Sequence, residues 1–217
     1  MNVNVPTLKE RQSFLLAAGA GDGEAVADFI ARYPNFIDLH DVDSGHTPLT
    51  FAAARGRKLV IDLLLAAGVS PDGRDDRGRP AIVHASWWSR DDVVAYLLDK
   101  GAPVDSADQG GKTALMYAAE DGRTDIARVL LLKGADAYSR DFNGHSAYSI
   151  ACSKKNGVMR LIDDWVNISR QIEAEKRAAE ARAAEIKAEE KRQQAAIDGQ
   201  QKLRSARTRR NPFGGKP

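Results

Sequence analysis

Cysteine occurs once in this sequence of 217 residues, at Cys152. That excludes an internal disulfide framework and any metal cage built from cysteines. No apolar run approaches the ~18 residues of a membrane-spanning helix. The amino end, MNVNVPTLKERQSFLLAAGAGD, lacks the basic start, apolar stretch and small-residue cleavage site of an export signal. A cytoplasmic location is therefore the default expectation. Motifs for chemistry are also missing. There is no glycine-rich phosphate loop, nucleophile elbow or His-Glu-x-x-His, and TRRNPFGG near the carboxyl end has neither a strand before it nor a helix after it. Catalysis needs titratable groups converging in a pocket, and no such set is discernible. Neither an enzyme, a cofactor nor a metal ion is expected.

What is present is the composition of a folded chain. Apolar residues at 43% and charged residues at 29% are near globular averages, which argues against wholesale disorder. The net charge of +2 hides an asymmetry: residues 169–217 hold 13 Lys/Arg against 7 Asp/Glu, leaving 19 against 23 for residues 1–168. A basic carboxyl-terminal part follows a mildly acidic body.

The body repeats itself. Gly45, Gly78, Gly111 and Gly144 stand 33 apart and open the phrases GHTPLTFAA, GRPAIVHAS, GKTALMYAA and GHSAYSIAC. Gly68, Gly101 and Gly134 keep the same interval and close LLLAAGVS, LLDKGAP and LLLKGAD. Each unit can be read physically. A turn glycine is followed by Thr47, Thr113 or Ser146 as a helix cap, with Pro48 in the first turn. A short helix carries paired small residues, Ala52-Ala53, Ala85-Ser86 and Ala118-Ala119, which permit close packing. Gly56 and Gly122 break it. A second helix then bears apolar residues at helical spacing, such as Leu59, Ile61, Leu63 and Leu64 or Ile126, Val129, Leu130 and Leu131. Two short helices cannot bury their own apolar faces, so the units must stack.

These phrases resemble the ankyrin repeat, with Asp75, Asp108 and Asp141 three residues ahead of their glycines as the family expects. The resemblance covers about 125 residues. It implies an all-α solenoid of helix-turn-helix units. There are departures. The histidine after Thr-Pro-Leu is replaced by Thr50, Val83, Met116 and Ser149, which is expected to remove a side-chain bond to the turn. Pro80 replaces the capping threonine, and Ser89 stands where Gly56 and Gly122 stand, so the third unit is expected to be locally weaker or shifted. FLLAAGAGDGEAVADFIARYP fits an amino-terminal capping unit, in phase after a two-residue insertion. The last unit has no glycine stop after Leu161, Ile162, Trp165 and Val166, so its helix is free to continue. About five units result, the outer two atypical, with boundaries expected at 1–12 for a leading segment, 13–167 for the repeats, 168–198 for a charged helix and 199–217 for a disordered basic tail.

From Ser169 to Ile197, 22 of 29 residues are Ala, Glu, Lys or Arg, all strong helix formers. Glu173 to Arg177 and Glu189 to Arg192 have ion-pair spacing. A coiled-coil seam in strict heptads from Leu161, Trp165, Ile168 and Ile172 would use Glu175, Ala179, Arg182, Ile186 and Glu189, too polar for a firm dimer. A monomer with a solvated helix is expected, with weak or alanine-lined self-association the alternative. Residues 198–217 hold six Lys/Arg and one Asp. Such a tail could attract nucleic acid or an anionic membrane, which makes an adaptor the rival reading.

Two of the three tryptophans adjoin, in HASWWSR. They sit at the offset of Ala54-Arg55, Glu120-Asp121 and Ser153-Lys154, which is not uniform core. In the family resembled, this offset is the exposed end of the inner helix, which with the loop tips lines a concave face that grips other proteins. Carried over by position, that face comprises His46, Arg55, Arg77, Arg79, Trp87, Trp88, Gln109, Lys112, Glu120, Asp121, Phe142 and His145. The resemblance thus implies a non-catalytic module that binds a protein partner. Consecutive helical residues point about 100° apart, so one indole is expected to be exposed and the other to pack inward. Of the histidines, His46 and His145 share one loop offset and read as exposed tips. His84 reads as partly buried, and Cys152 is a small packing residue.

Overall fold

The computed structural model describes the backbone of residues 5–210 and the side chains of residues 5–202. It divides into two compact units, one ending at Trp165 and one beginning at Val166.

The first unit is a series of helix pairs: α1 (Leu8–Ala20) with α2 (Gly23–Arg32), α3 (Pro48–Arg55) with α4 (Lys58–Ala66), α5 (Ala81–Trp87) with α6 (Asp91–Asp99), α7 (Ala114–Asp121) with α8 (Thr124–Leu132), and α9 (Ala147–Lys154) with the start of α10 (Gly157–Arg210). The first helices stack in order, α1 on α3, α3 on α5, α5 on α7 and α7 on α9. Their paired small residues make this possible: Ala52, Ala53, Ala85, Ala118 and Ala119 are completely buried. Leu49, Ile82 and Leu115 fill the same layer, and Val60, Ile61 and Leu64 or Ile126, Leu130 and Leu131 fill the layer beside it. Leu59, read as a core position, faces solvent, and Val60 takes its place.

Capping follows the sequence closely. Thr47, Thr113 and Ser146 each accept from the backbone N–H three residues on. Thr50 and Ser149 return a bond to the backbone N–H of Thr47 and Ser146, both at 2.8 Å. Pro80 has no side-chain oxygen to offer, and α5 begins without a side-chain cap bond. The amino-terminal helix starts earlier than expected, at Leu8, because Thr7 and Glu10 form a reciprocal capping box.

Each first helix is followed by a residue with left-handed backbone: Gly21, Gly56 and Gly122, but also Ser89 at φ 54° and Lys155 at φ 51°. Ser89 and Lys155 keep the repeat phase and adopt the glycine conformation, so the third unit is not shifted. A side chain just past this point then reaches back to the unit before. Arg57 Nε donates to Gly19 O at 3.2 Å and Arg90 Nε to Ala54 O at 3.1 Å. Asn156 Nδ2 donates to Ala119 O, one residue earlier in its repeat than Ala54. These bonds satisfy carbonyls that a helix end leaves open.

In the second unit the helix continues without a break. It runs past residue 198, where it was expected to give way to a disordered tail, as far as Arg210. The stretch 199–210 has one glycine and otherwise Gln, Lys, Leu, Arg, Ser, Ala and Thr, with no proline before Pro212, so nothing stops it. Residues 211–217 of the expected tail lie outside the described residues. Side chains from Arg170 to Lys202 are exposed. No helix among the described residues is long and apolar enough to cross a membrane.

Candidate functional site

The loops between pairs are built around three carboxylates. Asp75 Oδ1 accepts from the backbone N–H groups of Arg77 (3.0 Å) and Arg79 (2.8 Å). Asp108 Oδ1 accepts from Gly110 (2.8 Å) and Lys112 (2.9 Å), and Asp141 Oδ1 from Asn143 (3.0 Å) and His145 (2.8 Å). One oxygen thus fixes each turn and leaves the other to a side chain. In the third unit, Asp75 Oδ2 receives Arg79 Nε at 2.7 Å and His84 Nε2 at 3.0 Å. In the fourth, Asp108 Oδ2 receives the Tyr117 hydroxyl at 2.7 Å. The side-chain bond to the turn is therefore not lost with the family's histidine; it is made from the next helical position, where His84 and Tyr117 stand one repeat apart.

The third-unit network is buried. Asp75 is 4% exposed, Arg79 8% and His84 1%. Arg79, expected as a loop-tip contact for a partner, is instead committed to Asp75. Burial opposes the charged Asp75 carboxylate, but the bonds from Arg79 and His84 outweigh it and hold its pKa below the ordinary range. His46 is half-buried rather than a free tip: its ring lies 4.5 Å from His84 and 4.8 Å from Phe51. Burial, then the Arg79 charge, push its pKa down. Burial pushes His84 down to about 4, helped by His46 and Arg79. His84 is thus buried more completely than expected, and both rings are neutral near pH 7.

His46, Asp75 and His84 each bring one donor atom within 4.8 Å of the others. Two histidines and a carboxylate are ligand types suited to zinc. Here the carboxylate already accepts from two backbone N–H groups, the guanidinium and His84. A divalent ion would have to displace Arg79 or sit beside its positive charge, so these residues do not fit a metal ion as they stand.

Outward from this network the side chains form a cation and aromatic cluster. Arg79 Cζ lies 5.4 Å from the Trp87 ring centre, and Trp87 stacks on Tyr117 at 5.8 Å with 19° between the planes. Lys112 Nζ is 4.6 Å from the Tyr117 ring and pairs with Glu120. Trp87 is nevertheless 44% exposed, and Trp88 is 58% exposed. The expectation of one exposed and one packed indole is corrected: α5 ends at Trp87, Trp88 is its C-cap, and the left-handed Ser89 follows. Trp88 stands at the repeat offset of Arg55, Asp121 and Lys154, all exposed, and Trp87 at that of Glu120 and Ser153, also exposed.

The structure brings Arg79, Trp87, Lys112 and Glu120 together. Arg55, Arg77, Gln109, Asp121, Phe142 and His145 are exposed around them, Phe142 at 82%, without joining the stack. Gln109 Nε2 ties back to Asp76 O at 3.2 Å. Tyr117, Asp75 and His84 were not read as site residues. Their signal was available: His84 and Tyr117 each follow a turn aspartate, Asp75 and Asp108, by nine residues.

Such a fold is a solenoid of stacked helix pairs, a class whose chemistry is recognition across a rigid surface. Residues 14–108 match a model of ankyrin repeats in three copies, and residues 97–151 match one of ankyrin repeats in many copies. The chain belongs to the ankyrin repeat family. Ankyrin repeats are generally protein–protein interaction modules. No curated protein matches the chain.

Proposed function

We propose that this chain is a non-catalytic module that binds a protein partner on the concave side of its repeat stack, centred on Trp87 and Trp88. The observation that carries the reading is the exposure of two adjacent indoles held by rigid surroundings. Trp and Arg dominate interface hot spots, and a large solvated aromatic pair is a liability unless it is used. Pre-organisation supports the same reading. Trp87 is fixed by Arg79 and Tyr117, so little side-chain entropy remains to be lost on binding. Exposed Arg55 and Arg77 to one side and Glu120 and Asp121 to the other supply charge of both signs for register. The chemistry of the buried histidines is structural, because Asp75 holds Arg79 as well as His84. A cytoplasmic site of action fits a chain with one cysteine.

Affinity capture from the native host tests this, comparing the full chain with Trp88→Ala and with the Trp87→Ala/Trp88→Ala double variant. Loss of the captured partner with unchanged melting supports the reading; alanine at the functional indole should cost about 2 kcal/mol in affinity. Intact capture alongside a collapse in melting temperature would assign the indoles to structure.

A further inference from the structure

The exposed helix after Val166 has an apolar stripe that strict heptads follow to Ile186 but lose at Ala183 and Ile197. Ile168, Ile172, Ile186 and Ile197 are 49%, 60%, 61% and 49% exposed. Counted at about 100° per residue, all four fall within about 40° of one another, with Ala179 on the same line and Ala183 about 20° beyond its edge. The steps from Ile168 are four, three, four, four and three, an 11-residue period, which suits near-straight or slightly right-handed pairing of helices. Heptad counting places Arg182 and Glu189 in the seam; the 11-residue count replaces Arg182 by Ala183 and leaves Glu175 and Glu190 as its charged positions.

We propose that this stripe is the contact surface for a second copy of the same chain, with the two helices antiparallel and related by a two-fold axis between residues 183 and 184. Four relationships select this occupant and register. Ile197 of the second copy comes level with Arg170, between Ile168 and Ile172. Ile186 of the second copy comes level with Ala181, so its side chain enters the gap that Ala179 and Ala183 leave. Glu180 comes level with Lys187 of the second copy on one flank, and Arg182 level with Glu185 on the other. By symmetry each relationship occurs twice, so the stripe and these flanking pairs match themselves, while Lys176 comes level with Lys191 of the second copy and weakens the contact. Glu175 and Glu190 within the stripe make the pairing weak and reversible. The contact spans about 44 Å of helix at 1.5 Å per residue. Joining two chains presents two repeat stacks in one particle, which raises avidity for a partner with two epitopes.

Sedimentation velocity on the full chain over a range of concentrations is the test. A reversible monomer–dimer equilibrium is expected. Ile186→Glu, at a position exposed in the monomer, should weaken it about tenfold or more by placing a charge in the contact, with repeat melting unchanged. Glu180→Lys should weaken it, and Glu180→Lys/Lys187→Glu should restore it. For direction, spin labels at Gln194→Cys in a Cys152→Ala background should lie about 30 Å apart in the antiparallel dimer, against less than about 15 Å in a parallel one. A chain that stays monomeric at its solubility limit, a dimer insensitive to Ile186→Glu, or the short label distance overturns the proposal.

Discussion

His84 donates through Nε2 to Asp75 Oδ2 at 3.0 Å inside the repeat stack, in the place where the next unit uses a tyrosine hydroxyl, Tyr117 to Asp108, at 2.7 Å. A tyrosine in that place is neutral across the working pH range. A histidine there ties stability to pH.

The direction follows from the shift. His84 titrates at about 4 in the folded chain and near 6.5 when unfolded. Above pH 6.5 both states carry the neutral ring and the full stability is present. As pH falls from 6.5 towards 4 the unfolded state takes up a proton that the folded state refuses, so stability drops, by at most about 3 kcal/mol over that window. His46, lowered in the same sense, adds to the slope. Melting temperature measured from pH 7 to pH 5 should therefore fall, and His84→Tyr should flatten the fall. An unchanged slope in that variant would place the titration elsewhere.

The Asp75–Arg79 pair sets a second expectation. Both groups are almost fully buried, with Arg79 Nη2 at 2.6 Å and Nε at 2.7 Å from the same carboxylate oxygen. Removing one partner strands the other's charge, so Asp75→Asn should destabilise by about 3–5 kcal/mol in denaturant unfolding. The equivalent Asp108 serves the same turn, but its neighbour Lys112 pairs instead with the exposed Glu120. Asp108→Asn should cost distinctly less. Equal losses at both positions would show that the turn, not the buried ion pair, carries the energy.

Much of this was legible in the sequence because a period averages over units. Two glycine series marked where helices start and stop, and phase placed Ser89 where Gly56 and Gly122 stand; Lys155, at the same offset in the fifth unit, was not picked out. The same averaging hid what is particular to one unit. Arg79 shares its offset with His46, Lys112 and His145, none of them as buried, so nothing in the offset announces a guanidinium turned inward. Its burial depends on His84 and Asp75 being present together, a coincidence of three residues within one unit. That one of the two indoles would pack inward was misjudged because helical rotation was weighed above repeat phase, which sets Trp87 and Trp88 level with the exposed pairs Glu120-Asp121 and Ser153-Lys154. The helix through residues 199–210 was read as tail on its charge, although charge alone does not end a helix that lacks proline.

Ser86 offers a gain. Its position is the second of the paired small residues, Ala53 and Ala119 in the flanking units. Ser86 is 1% exposed, and its hydroxyl oxygen has no hydrogen-bond partner. A buried hydroxyl without a partner costs about 1–3 kcal/mol in desolvation, so Ser86→Ala should stabilise by about 1 kcal/mol. A loss in thermal or chemical unfolding would mean that a bound water serves the hydroxyl.

Ser89 and Lys155 follow α5 and α9 with φ of 54° and 51°, against 77° and 69° for Gly56 and Gly122 at the equivalent points. A side chain there meets its own backbone, at roughly 1–2 kcal/mol. Glycine relieves that strain but gives the unfolded chain more freedom, which returns roughly 0.5–1 kcal/mol. The balance favours glycine by about 0.5–1 kcal/mol at each site. Because α5 and α9 lie in separate units with α7 between them, the two effects should add. Ser89→Gly, Lys155→Gly and the double variant, compared by urea unfolding at constant m, give the measurement. Ser89→Gly carries the sharper consequence, since the residue follows Trp88 directly. If the left-handed turn holds Trp88 outward, the variant keeps the indole's accessibility to a fluorescence quencher while stability rises. A drop in stability at either position would show that the serine or lysine side chain makes a compensating contact worth more than the strain it causes.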